Sequence, residues 1–242
     1  MSPASSERSK VATGPLSRSR NCQVGALSPT SIMRGTTFDF HSLLPDLDAV
    51  SYVADATQWH FYLQIPGMWR MMFPIAPEVS DETATSRAFA KETLATVQPT
   101  VADGDIVHVT LYRVHQRVAK TFRVGRAFLA GDAAHINNPL GGMGMNGGIQ
   151  DAFNLADKFQ EIFAGADDRL LDRYDRQRRT VAVEAVQQQT HRNQQIISER
   201  DPETRKKSLD AMRKVAADKT SAREYMLRSS MIASLRRAAE IE

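Results

Sequence analysis

Residues 125–163, GRAFLAGDAAHINNPLGGMGMNGGIQDAFNLADKFQEIF, constrain this chain more than any other stretch. The apolar run at residues 127–130 reads as a buried strand, and it stops at Gly131 and the carboxylate of Asp132. A loop follows with Pro139 and five glycines, Gly141, Gly142, Gly144, Gly147 and Gly148. Then Ile149, Ala152, Phe153, Ala156, Phe159 and Phe163 recur at the spacing of one helical face. Strand, acid, glycine loop and helix make the layout of a site for a polar cofactor.

Glycine lacks Cβ, so such a loop can adopt positive φ and bring its amides close to a ligand. A helix opening near Asn146 leaves its first amides unpaired and aimed into the loop. The partial positive charge there suits an anion or an electron-rich carbonyl. Asp132 can accept hydrogen bonds from a sugar or polyol hydroxyl. The stretch therefore suits a ligand with hydroxyls and an electron-rich ring or phosphate.

The run Gly131, Asp132, Ala133, Ala134, His135, with Pro139, Gly142, Gly144, Met145, Asn146 and then Asp151 to Ala156, resembles the second flavin motif of FAD-dependent aromatic hydroxylases, the monooxygenases of the para-hydroxybenzoate hydroxylase fold. The resemblance implies FAD as cofactor, NAD(P)H as reductant, and oxygen and a small aromatic molecule as reactants. It places Asp132 on the ribityl chain. It places Gly142, Gly144, Met145 and Asn146 at the pyrophosphate and the pyrimidine edge of the flavin, and counts Gly131 and Pro139 with them as cofactor-binding residues. In this family the flavin carries the chemistry, so no catalytic triad is expected. His135 reads as a brace for the loop rather than a proton donor.

The remainder of the chain fits around that motif. Among 242 residues the net charge is +3, with basic and acidic side chains interspersed. That mixture points to a solvated surface rather than a nucleic-acid footprint. Cys22 is the single cysteine, which excludes an intrachain disulfide and a cysteine-rich metal site. No apolar run reaches the roughly 20 residues of a membrane span, and the chain is expected to be cytoplasmic.

Residues 1–36, rich in Ser, Arg and Pro, are expected to form a disordered leader. Residues 37–123 are expected to supply part of a substrate-binding sheet. Short strands at residues 38–41 and 48–53 flank Pro45, and a hairpin of residues 59–65 and 68–75 turns at Pro66 and Gly67. Trp69, Met71 and Phe73 would share one face as core, with Arg70 and Met72 on the other. Ser80 opens a helix to about residue 97, and residues 106–115 form a further strand. His108 and His115 are seven apart and fall on opposite faces; Arg113 and Arg117 read as surface groups.

Residues 124–165 would complete the flavin half. Residues 166–242 would be helical, with a restart at Asp201 and Pro202 and a last helix over residues 222–238. YDRQRR, from Tyr174, resembles the family's helices that brace the flavin helix, although its basic run reads as solvated. The fold class expected is α/β, an α+β piece comprising the C-terminal part of the hydroxylase fold.

No GxGxxG, the family's signature for the ADP half of FAD, occurs in the chain. A truncated enzyme with weak flavin binding is therefore expected. Two alternatives stand beside it: another flavoenzyme of the fold, a halogenase or reductase, and a non-catalytic remnant that packs its helices on a partner.

Overall fold

The computed structural model describes residues 33–242, apart from Ser42, Leu43, Pro45, Thr100 and Val101. The leader expected before residue 33, with Cys22, and the proline expected between the first two strands lie outside the described residues.

The first half is a five-stranded antiparallel sheet in the order β2-β3-β4-β1-β5. Its strands are β1 (Met33–Phe40), β2 (Val50–Val53), β3 (His60–Ile65), β4 (Met68–Ile75) and β5 (Ile106–Val114). The β3–β4 hairpin pairs Ile65 with Met68, and Gly67 takes φ +79°, so Pro66 and Gly67 are the central pair of the turn. Alternation sorts the two faces. Phe38, Phe40, Tyr62, Trp69, Met71 and Phe73 form a core with Ala90 and Leu94 of the covering helix.

Two boundaries differ from the sequence reading. The sheet begins at Met33 rather than Thr37, because Arg34, Gly35 and Thr36 are paired on both sides, to β4 and to β5. Arg34 is anchored further by donating to the carbonyl of Val79 (2.8 Å) and to Asp81 (2.6 Å). The single helix expected after Ser80 is two: α1 (Asp81–Ala84) and α2 (Arg87–Val97). Both Ser80 and Ser86 accept an N-cap hydrogen bond, and the second cap restarts the helix after Thr85.

The second half is mostly helical. Two small ladders come first, β6 (Arg117–Val118) with β9 (His135–Ile136), and β7 (Arg123–Val124) with β8 (Ala127–Phe128). The buried strand expected at residues 127–130 is thus only the two-residue β8, with Ala127 exposed and Phe128 to Ala130 half-buried. Its described ladder partner is β7 alone, and that hairpin turns at once through Gly125, φ +59°.

The long helix α3 (Met143–Phe163) packs on α4 (Leu170–Val181), which continues through a π-helical turn at residues 182–187 into α5 (Gln188–Ser198). Asp201 caps α6 (Pro202–Ala217) through the Thr204 amide. The last expected helix is broken into α7 (Lys219–Ser229) and α8 (Ile232–Ala239) at Met231, φ +63°. Met231 is buried there against Met143 and Val186. Among the described residues no helix is long and apolar enough to cross a membrane.

Candidate cofactor site

The glycine loop is pinned from behind before it can meet a ligand. Asn138, fully buried, donates to Gln116 Oε1 (2.9 Å) and the Thr190 carbonyl (3.1 Å), and its own Oδ1 accepts from the Leu140 amide (3.1 Å). Asn193 of α5 donates to the Leu140 carbonyl, and the Gly141 amide donates to Tyr52 Oη of β2 (3.2 Å). The chain then turns through Gly141 and Gly142, at φ +102° and +64°, conformations that favour glycine. A Cβ at Gly141 would stand 2.8 Å from Asn193 Nδ2.

Gly142 is the N-cap of α3, and no side chain caps that helix. The helix opens three residues before the position expected, Asn146. Its leading amides face an exposed stretch in which Met145 is 74% accessible and Gly142 and Asn146 are also exposed. A Cβ placed on Gly142 meets no atom within 4 Å, so the space in front of the helix is open. Gly131 (φ +58°) and Gly148 meet backbone to backbone: a Cβ on Gly148 would lie 3.2 Å from the Gly131 Cα. That approach sets Asp132 beside the second turn of α3. The Asp132 carboxylate is exposed and makes no hydrogen bond or ion pair among the described residues.

A charged hub under α3 holds this arrangement. Asp151, fully buried, accepts from Arg178 Nε (2.6 Å), from His135 Nε2 (2.8 Å) and from the Gly131 amide (2.9 Å). Burial alone would raise the Asp151 pKa, but the hydrogen bonds from His135 and Arg178 outweigh it and hold the carboxyl below its ordinary value. His135 lies stacked on Phe122, and a Cβ at Gly147 would come within 3.2 Å of its ring, so it braces the loop as the sequence suggested.

Tyr174 Oη donates to the Leu129 carbonyl (2.6 Å), and Asp175 accepts from the Phe122 amide (2.8 Å). The run YDRQRR does brace α3, through Arg178 donating to Asp151 and Gln177 Oε1 accepting from Asn154 (3.0 Å), but Gln177 and Arg178 are buried, not solvated. The sequence did carry a sign of this. Asp151 sits mid-helix on the face of Gly144, Gly147 and Gly148, and a buried carboxylate there requires a cationic partner.

The apolar stripe of α3 lies on the other side. Ile149, Phe153 and Phe163 are 47%, 68% and 85% exposed, while Met143, Gly147, Asp151 and Lys158 are the buried positions. The periodicity located an apolar face correctly, and among the described residues that face is largely uncovered.

In front of the loop a cavity of about 400 Å³ separates it from the sheet face opposite the core. Phe61, Arg70, Met72 and His115 line the sheet side, and Ile136, Asn137 and Pro139 line the loop side. Arg70 forks onto Asp39 (2.7 and 2.8 Å), and Arg113, at the edge, pairs with Asp81. Neither Arg117 nor His108 lines the cavity.

Residues 34–189 match a family model described as an FAD binding domain. The chain belongs to that family, the FAD-dependent aromatic hydroxylases. Among its relatives, para-nitrophenol 4-monooxygenase of Pseudomonas sp. is 33% identical over 181 residues, 73% of this chain and 45% of that protein. The crystal structure of p-nitrophenol 4-monooxygenase from Pseudomonas putida superposes with a TM-score of 0.74 at 31% identity, covering 82% of this chain and 52% of that one. Anhydrotetracycline hydroxylase from Streptomyces rimosus gives 0.62 at 27% identity, over 82% and 40%. The chain thus spans about half the length of the relatives it matches. Its mixed architecture, an antiparallel sheet followed by C-terminal helices, is that of their fold. FAD is the family's cofactor, and the residues present suit its flavin half: a free carboxylate, uncapped helix amides and an open glycine cradle meet in one place.

Proposed function

We propose that Gly131, Asp132, Pro139, Gly142, Gly144, Met145 and Asn146 hold the ribityl and isoalloxazine half of FAD in an NAD(P)H-dependent monooxygenase that hydroxylates a small aromatic molecule. The observation that carries this reading is the joint placement of an unpaired carboxylate and the uncapped start of α3, with a cavity on the far side of Pro139. Bound flavin would supply the redox chemistry, taking electrons from NAD(P)H and activating oxygen for transfer to the ring.

The chain's own residues do the rest. Asp132 accepts hydrogen bonds from the polyol, and the first amides of α3 stabilise negative charge on the ring system. Asn138 and the Asp151 hub keep both elements in place without contributing atoms to the ligand. The sheet of the first half forms the substrate wall, and the helices after residue 166 brace the flavin helix.

Replacing Asp132 with Ala tests the assignment. Loss of one charge-assisted hydrogen bond or two should weaken FAD binding about 10- to 100-fold, read from quenching of flavin fluorescence. Equal affinity in the two proteins would remove Asp132 from the site. A second reading, a non-catalytic chain that packs on a partner, is favoured by the uncovered face of α3 at Ile149, Phe153 and Phe163. Substrate-stimulated NAD(P)H oxidation by the purified chain would exclude it.

A further inference from the structure

We infer that a cavity behind the glycine loop is a second ligand site, which takes an amphipathic monocarboxylate: an unbranched apolar tail against the loop and a carboxylate head held by Arg192 and Arg228. The cavity, of about 370 Å³, is lined by β2, the loop and the helices α5, α6 and α7, and it shares no lining residue with the cavity in front of Pro139. Its size is that of a small-ligand pocket. Filling it requires neither flavin nor an aromatic substrate.

Charge selects the head. Arg192 of α5 and Arg228 of α7 line both this cavity and a neighbouring one of about 290 Å³ beside the π-helical turn, so both stand where the two cavities meet. Neither guanidinium makes a hydrogen bond or ion pair among the described residues. No acidic side chain lines the larger cavity, and Glu184, which lines the smaller, is already paired with Arg237 at 3.8 Å. Two cations at one rim repel each other unless an anion joins them. A carboxylate does so well, because its two oxygens accept the planar fork of a guanidinium.

Packing selects the tail. Away from the arginines the walls are apolar. Leu140 and Met143 of the loop side are buried, whereas Ile196, Leu209 and Met212 on the helices remain 36%, 46% and 46% exposed. Covering such side chains with an alkyl chain removes apolar surface from water, and the two methionines adapt to a flexible tail. Arg192 and Ile196 are one turn apart on the same face of α5, about 6 Å along its axis, so head and tail sites are continuous. Residues 1–32 have the wrong sign to fill this rim, with Arg8, Lys10, Arg18 and Arg20 against Glu7.

The test titrates the full chain, carrying isotope-labelled methionine methyl groups, and follows it by NMR. Met143 and Met212 report on this cavity, and Met72 reports on the one in front of Pro139. The probes are octanoate, octanol, octylammonium and acetate: the whole ligand, the tail alone, the tail with the opposite charge, and the head alone. Octanoate should shift the Met143 and Met212 methyls and leave Met72 in place, with a Kd at least tenfold below those of octanol and acetate. Octylammonium should bind more weakly than octanol, and added salt should weaken octanoate alone.

Arg192→Gln and Arg228→Gln should each weaken octanoate about tenfold while leaving octanol within twofold. Neither should lower the urea midpoint, since each removes an exposed, unpaired cation. Loss of octanoate binding through misfolding would take octanol binding and the midpoint with it. The site is refuted if octanol matches octanoate, if octanoate moves Met72 in place of Met143 and Met212, or if both arginine variants bind it unchanged. It is refuted as well if the Met143 and Met212 methyls shift on dilution of the chain without octanoate, which would assign the cavity to a second copy. A shift of the same methyls on Glu7→Gln would assign it to residues 1–32 and refute the site equally.

Discussion

The sheet and α3 bury opposite kinds of side chain. In the sheet, Phe38, Phe40, Met71 and Phe73 face α2 and are wholly excluded from water. In α3 the buried positions are Met143, Gly147, Asp151 and Lys158, and Phe153 and Phe163 are exposed. The first region is stabilised by removing apolar surface from water, roughly 1.5–3 kcal/mol for each large side chain. The second depends on a buried carboxylate whose partners come from the loop, at Gly131 and His135, and from α4, at Arg178. Such a hub adds little net stability over an apolar core of the same shape, but it is costly to break halfway. Its directional hydrogen bonds tie α3 to the loop and to α4 at once.

The largest effects should come from breaking either kind of core. Phe73→Ala and Asp151→Ala should each cost about 3–5 kcal/mol in urea unfolding, the first through a cavity and the second through an unpaired Arg178. Their repair should differ. Asp151→Leu combined with Arg178→Met should recover part of the loss, whereas no polar substitution at Phe73 should. Equal failure of both repairs would erase the distinction between the two regions.

A smaller effect follows from acid. The Asp151 pKa is held below its ordinary value in the fold, so its contribution is full above that ordinary value and is lost as pH falls through the folded one. The urea midpoint should decline on the acidic limb, and Asp151→Asn should flatten that decline; an unchanged slope would show that Asp151 is not the group titrating. The smallest effect belongs to the outer face of α3. Phe153→Ser should change stability by no more than about 0.5 kcal/mol, since the ring is 68% exposed. A loss of 2 kcal/mol or more would mean that something in solution covers that face.

What the sequence made legible follows the same divide. Turn and cap chemistry is local, so Pro66 with Gly67, Ser80, and Asp201 with Pro202 could be placed from neighbours alone. The start of β1 could not, because residues 33–36 are strand only by virtue of partners near residues 75 and 113. In α3 the period revealed an apolar stripe but not which way it points, since direction is decided by Asp151 and its distant partners. Arg178 was hidden for the same reason: a basic run looks solvated until the carboxylate 27 residues earlier folds beneath it.

The interior position of β1, between β4 and β5, has a further consequence, for the order in which the protein is made. β4 begins 28 residues after β1 ends, but β5 begins 66 residues after it. At synthesis rates of about 5–20 residues per second, β1 therefore waits roughly 2–8 s between the arrival of β4 and that of β5 with one side bare. For that interval a strand destined for the inside of the sheet is an edge, with Phe38 and Phe40 beside a row of unpaired amides and carbonyls. A nascent chain halted before Ile106 would keep that edge for as long as the ribosome holds it.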